Sequence, residues 1–171
     1  MTINDLISVA VPTAVTGLVY NGKEQVGVAA TNGYYTVSVG SAVYAGTYYA
    51  VATLTDTAKT RWADGTTTDK TITWTIAKAE NPAQATTITK TVKYKKVLKK
   101  KVTFNIGMTN VQGTVKYVVP PEASISGIVV KANGKVVVKK NALKGLYTIT
   151  AVVTGNTNYN DKMITIYVRV S

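Results

Sequence analysis

The 171-residue sequence contains no cysteine and no histidine. Without cysteine there is no disulfide, no thiolate nucleophile and no thiolate metal site, so stability must come from packing alone. Without histidine the commonest general base and the commonest metal ligand are both missing. Only eight acidic residues are present, and they are scattered. No nucleophile–base pair and no phosphate-cradling glycine motif occurs, so neither catalysis nor a cofactor is expected. Asp64 and Asp69 fall short of the six to eight oxygens a calcium ion takes, and Asp64-Gly65 reads as a turn. No metal site is expected. There is one Phe. No apolar run approaches the roughly 20 residues of a membrane span, which argues against membrane insertion. Met1 to Ile7 lacks the basic and apolar regions of a signal peptide.

Valine, isoleucine, threonine and tyrosine dominate instead, and branched or aromatic side chains suit a pleated, half-buried surface. Strand-like runs recur along the chain. In the first half they are Val15 to Tyr20, Tyr34 to Val39, Thr47 to Leu54 and Lys70 to Ile76. Ile72, Trp74 and Ile76 alternate with Thr71, Thr73 and Thr75, the period of a sheet with one buried face. In the second half Val102, Phe104 and Ile106 alternate with polar neighbours, as do Val115, Tyr117 and Val119. Ile128 to Ala132 and Lys135 to Lys139 flank Asn133-Gly134, a hairpin signal. Tyr147 to Val153 and Met163 to Val170 complete the set, and no stretch shows a helical period. The expectation is an all-β chain of sandwich type.

Charge divides the chain. Residues 1–80 hold five Lys/Arg and six Asp/Glu, net −1, whereas residues 81–171 hold fifteen and two, net +13. The break falls at Ala77 to Gln84, where Pro82 interrupts any ladder. Two domains are expected: 1–80, near-neutral with a short N-terminal arm, and 81–171, strongly basic. Ala45-Gly46-Thr47-Tyr48-Tyr49-Ala50-Val51-Ala52 echoes Lys144-Gly145-Leu146-Tyr147-Thr148-Ile149-Thr150-Ala151, which reads as a diverged duplication.

The first half resembles the bacterial immunoglobulin-like repeats of Gram-positive surface proteins. The resemblance rests on Tyr20-Asn21-Gly22-Lys23-Glu24-Gln25, Ala45-Gly46-Thr47-Tyr48, Trp62-Ala63-Asp64-Gly65-Thr66 and Ile72-Thr73-Trp74-Thr75-Ile76-Ala77-Lys78-Ala79. The second half is similar to the Lys-rich repeats that accompany such modules, through Gly134 to Val138, Lys144 to Ile149 and Asn156 to Tyr159. The resemblance implies two tandem immunoglobulin-like sandwiches used as spacer, adhesive or decoration, with no active site to carry over. Such modules also occur in tailed-phage structural proteins, which need no export signal. A short, Met-initiated pair without an anchor therefore points to a virion-decorating protein on a capsid lattice. The alternative is part of an extracellular, cell-surface adhesin that binds carbohydrate or an anionic surface.

Two sets of residues are candidates for contact. Lys93, Tyr94, Lys95, Lys96, Lys99, Lys100 and Lys101 form a basic run. It could dock onto an acidic assembly, or neutralise phosphates and stack on nucleic-acid bases. It could equally be a solvated edge strand whose lysines discourage pairing. The second module is expected to dock and the first to be displayed, although the Met1 to Ala10 arm could instead anchor by strand addition. The second set is aromatic. Tyr48 and Tyr49 must face opposite sides of a strand, Trp62 reads as a loop residue beside Asp64-Gly65, and Tyr159 lies in a corresponding polar loop. These four are candidates for carbohydrate or partner contact, against a background in which most tyrosines are core or singly exposed.

Overall fold

The computed structural model describes residues 6–171. The chain divides into two compact units, Met1–Ala79 and Glu80–Ser171. Each is a β-sandwich of immunoglobulin type.

Unit 1 contains β1 (Ile7–Val9), β2 (Leu18–Val19), β3 (Gln25–Val26), β4 (Tyr35–Ser38), β5 (Ser41–Ala42), β6 (Gly46–Leu54), β7 (Thr60–Trp62) and β8 (Lys70–Ala77). Its main sheet has the order β2-β8-β6-β4, with β2 parallel to β8 and the other pairs antiparallel. The expected alternation in β8 holds, with Trp74 and Ile76 buried and the intervening threonines exposed. On β6, Ala50 joins Trp74 and Ile76 in one core cluster and Ala52 and Leu54 join Tyr35 and Trp62 in another, with Val37 and Ile72 packed against both. β3 and β5 form a separate antiparallel pair, and Ala42 of β5 packs against the cluster that holds Trp74. Residues 1–5, half of the proposed strand-donating arm, lie outside the described residues. Ile7–Val9 from that arm already pairs in parallel with β7, so these residues complete their own unit.

Unit 2 contains β9 (Gln84–Ala85), β10 (Thr89–Val92), α1 (Tyr94–Lys99), β11 (Val102–Asn105), β12 (Met108–Thr109), β13 (Thr114–Val118), α2 (Pro121–Ile125), β14 (Ile128–Val130), β15 (Lys135–Val138), β16 (Gly145–Thr154) and β17 (Lys162–Val170). Its main sheet, β10-β17-β16-β13, repeats the order and directions of unit 1. The second sheet, β11-β15-β14, closes the sandwich. Val97, Ile128, Val136, Val138, Ile149 and Ile166 are fully buried between the sheets. The hairpin marked by Asn133-Gly134 joins β14 to β15. Gly134 takes φ +79°, and a Cβ there would lie 2.7 Å from the Ile106 carbonyl oxygen, so conformation and space both require glycine.

The duplication legible in sequence has a structural counterpart. In both units the long third strand of the main sheet, β6 or β16, starts Gly-X-Tyr. The Tyr48 hydroxyl donates to the Tyr44 carbonyl at 2.7 Å, and the Tyr147 hydroxyl donates to the Leu143 carbonyl at 3.0 Å. A tyrosine at this place, bonded back to the preceding corner, is a hallmark of immunoglobulin-type sandwiches. Two residues on, where antibody domains place a disulfide cysteine, stand the buried Ala50 and Ile149. Each hydroxyl fixes the corner leading into the strand. Tyr48→Phe and Tyr147→Phe are each expected to cost about 1 kcal/mol, read as a fall in urea midpoint at unchanged slope.

Two expectations are corrected here. Helices are present, although both are a single turn or little more. The basic run is α1, not an edge strand. Six residues are too few to show a period of 3.6. Val97, its buried residue, is enough to seat the turn on the core. Lys96 and Lys99 lie in its last turn, where cations suit the helix dipole. In α2, Pro121 occupies the first turn and Glu122 follows, a favourable N-terminal pair.

Asn81, at the entry to unit 2, is 1% exposed. Its amide nitrogen donates to the carbonyls of Gln112 at 2.7 Å and Asn160 at 3.3 Å. Its side-chain oxygen accepts from the amides of Ala83 at 3.2 Å and Gln112 at 3.3 Å. Lys162, at the start of β17, donates to the Asn81 main-chain carbonyl at 2.9 Å. One side chain thus ties together the entry segment and two loops.

Candidate functional site

The cationic run gains partners from elsewhere in unit 2. The Asn141 amide donates to the Val97 carbonyl of α1 at 3.1 Å, and Tyr94 N donates to the Ser171 carbonyl at 2.7 Å. The loop between β15 and β16 therefore lies against α1. It brings Lys139, Lys140 and Lys144 to Lys93, Lys95, Lys96, Lys99, Lys100 and Lys101, and all nine side chains are exposed. Among the described residues, ion pairs join Lys59 to Asp56 and Lys70 to Asp64, all in unit 1, and none involves these nine. Unneutralised charges converging this closely raise the local potential well beyond that of a dispersed surface.

The one aromatic candidate of the basic set behaves differently. Tyr94 is half-buried and packs on the core, with the Lys144 ammonium 4.9 Å from its ring centroid. A cation over that face stabilises the ring but occupies the side on which a base would stack.

The cluster also has a place in the unit. β17 begins at Lys162, bonded to Asn81, and ends at Val170, paired with Val92 just before α1. The lysines thus lie at the end of unit 2 opposite its entry, roughly 26 to 30 Å away along a nine-residue strand.

Three aliphatic side chains share this end. Leu98 on α1 is 45% exposed, Leu143 on the neighbouring loop 58%, and Ile125 at the end of α2 85%. The Leu143 amide donates to the Ser126 carbonyl and the Lys139 amide to the Gly127 carbonyl, at 3.1 and 2.9 Å, which pins the end of α2 to the same loop. As contact candidates, sequence reading named neither these aliphatic residues nor Lys139, Lys140 and Lys144. The Lys139-Lys140 doublet was the available signal, but its proximity to α1 depends on a contact between distant segments.

The aromatic candidates do not form one surface. Trp62 is fully buried, a correction to its reading as an exposed loop residue. Thr60 and Trp62 alternate inward on β7, the ring lies 5.7 Å from that of Tyr35, and its indole nitrogen donates to the Thr68 carbonyl at 2.8 Å. Pairing of β7 with β1 is what carries it into the core. Tyr48 is also committed inward, stacked on Trp74 with ring centroids 4.6 Å apart. Tyr49, its neighbour on the opposite face, is 61% exposed. Tyr159 belongs to unit 2, is half-buried, and donates its amide to the Asn156 side chain.

Asp64 serves its own loop. Its carboxylate accepts from Lys70 Nζ and from the Thr66 hydroxyl and amide, and these contacts hold it well below the ordinary carboxylate range, Lys70 most strongly. The sign follows: this contribution to stability is present above pH about 4 and fades as the pH falls below it. Among the described residues no group of three or more His, Cys, Asp or Glu comes together, and no helix is long and apolar enough to cross a membrane.

No family model matches the sequence, and no curated protein matches it. Several solved structures resemble it in fold. Human protocadherin-24 EC1-2 is 11% identical at TM-score 0.36, covering 95% of this chain and 99% of that one. Protocadherin gamma B7 EC1-4 is 9% identical at TM-score 0.40, covering 99% of this chain and 52% of that one. The Ig1-2 module of the Drosophila receptor tyrosine phosphatase DLAR is 13% identical at TM-score 0.36, covering 94% and 84%. The chain thus spans about half of the protocadherin gamma B7 fragment, and it covers 32% of a Drosophila N-cadherin fragment. At these scores the likeness adds nothing to the sheet order and the tyrosine corners, on which the description of the chain as two tandem immunoglobulin-like sandwiches rests.

Proposed function

We propose that the chain is a non-catalytic structural and adhesive accessory protein, held by unit 2 and displaying unit 1. One observation carries this reading: nine exposed lysines, without acidic partners among the described residues, gather at the end of unit 2 remote from its entry. Charge placed there can meet an anionic surface without involving the segment by which the chain enters unit 2.

The setting proposed first is a phage virion, with an acidic capsid lattice as the partner. The test is to purify the native source particle and measure how much of the chain accompanies it. A fixed stoichiometry, with release at about 0.5 M salt as screening shortens the reach of each charge, is the expected result. Loss of the chain during purification at low salt would refute the virion setting. The second setting is a cell surface, and a specific observation favours it: Leu98, Leu143 and Ile125 are exposed among the lysines, where a purely electrostatic dock needs none. The carbohydrate reading narrows to Tyr49, the one member of its set with a largely exposed ring. The nucleic-acid reading keeps its lysines and loses its stacking aromatic, Tyr94.

A further inference from the structure

We infer that the cationic end of unit 2 seats on an anionic lipid bilayer, its lysines among the headgroups and Leu98, Leu143 and Ile125 reaching beneath them. This rests on the reading that unit 2 is the attaching module, and it takes the cell-surface setting, not the capsid lattice, as what that module meets.

Three features single out a lipid leaflet among polyanions. The nine clustered charges are lysines, compact and flexible ammonium groups without the planar fork by which arginine grips a single phosphate in two places, and Arg169 near the end of β17 is the one arginine of unit 2. Such groups suit the diffuse negative potential of a leaflet, where each basic residue near the surface strengthens binding by roughly fivefold. The aliphatic side chains supply the second component. Peripheral attachment that combines a basic patch with apolar side chains outlasts either alone. Here the two are interleaved: Leu98 lies between Val97 and Lys99 on α1, and Leu143 precedes Lys144 on the loop. They are also held in place, since α1, the loop and the end of α2 are joined through Asn141–Val97 and Leu143–Ser126 hydrogen bonds. Leucine and isoleucine left at 45 to 85% exposure gain little from water and much from the acyl boundary. The third feature is the covered ring of Tyr94, which withholds from nucleic acid the stacking face it would use.

The experiment uses the full chain and sedimentation with vesicles of phosphatidylcholine alone or with about 30% phosphatidylglycerol, at about 0.1 M salt. Duplex DNA and dextran sulfate serve as soluble polyanions. Binding is expected to the phosphatidylglycerol vesicles and not to phosphatidylcholine alone. Leu98→Ser with Leu143→Ser is expected to weaken vesicle binding by about tenfold or more, while leaving the melting temperature and the binding of dextran sulfate unchanged. Vesicle binding that ignores the leucine substitutions overturns the proposal, as does binding of DNA or dextran sulfate without binding of vesicles. In either case the attaching role of the cationic end survives. If K95E/K96E/K99E binds every probe as the parent does, that role fails as well.

Discussion

Gly27→Ala is expected to unfold unit 1 at temperatures where the parent is stable, and to leave the unfolding of unit 2 in place. A Cβ on Gly27 would lie 1.9 Å from Cε3 of Trp74, far inside van der Waals contact. The indole has nowhere to retreat. It is stacked on Tyr48 at 4.6 Å, and its nitrogen donates to the Val39 carbonyl at 2.9 Å. Either this bond and stack break or the backbone moves, at a cost of about 3 kcal/mol or more. For a unit of this size that lowers the melting temperature by about 12 to 24 °C. Trp74→Ala removes the other partner in the clash and is expected to cost about 3 to 5 kcal/mol through the cavity it opens. Calorimetry on the full chain reads both: one transition should move and the other should not. A uniform shift of all transitions would show that the two units do not unfold separately.

The second large effect belongs to Asn81. Asn81→Ala strands buried groups of Ala83, Gln112 and Asn160 and is expected to destabilise unit 2 by about 2 to 4 kcal/mol. Asn81→Asp sharpens the test. An ionised aspartate cannot donate to the Gln112 and Asn160 carbonyls that the amide nitrogen now serves. Only the protonated acid can, and to one of them at a time; burial and the two facing carbonyls raise its folded pKa, the Ala83 and Gln112 amides and the Lys162 ammonium lower it, and the expected net direction is upward. A raised pKa places the proton in the folded state. The variant should therefore approach the parent near pH 4 and lose stability as the pH rises towards 7. Urea unfolding at the two pH values checks it, and a variant whose deficit is the same at both would refute the assigned bonds.

Much of the fold was legible because it is written in short-range patterns. The alternation of Ile72, Trp74 and Ile76, the paired Gly-X-Tyr corners and the Asn133-Gly134 turn each depend on residues close in sequence. What escaped depends on distant pairing. Trp62 looks like a loop residue because its inward partner, Val9, lies far away on β1. Asn81 looks like linker because its bonds run to Gln112 and Asn160. The basic run looked like a strand edge, since one helical turn leaves no period and its anchor is the core beneath Val97. The candidate site was half legible for the same reason. The run from Lys93 to Lys101 was plain, whereas Lys139, Lys140, Lys144 and the aliphatic side chains reach it only through the fold.

The parallel pairing at the edge of each main sheet bears on how the chain responds to being pulled. In both units the strand nearest the start of the sheet runs alongside the last one, Leu18–Val19 with Ile76–Ala77 and Thr89–Val92 with Tyr167–Val170. Tension applied at the two ends of such a unit slides these strands past one another. Their hydrogen bonds then share the load and must fail together, instead of opening one at a time like a zip. The ladder has four registered positions in unit 2 and two in unit 1. For this element, a chain pulled at its two ends would yield in unit 1 before unit 2.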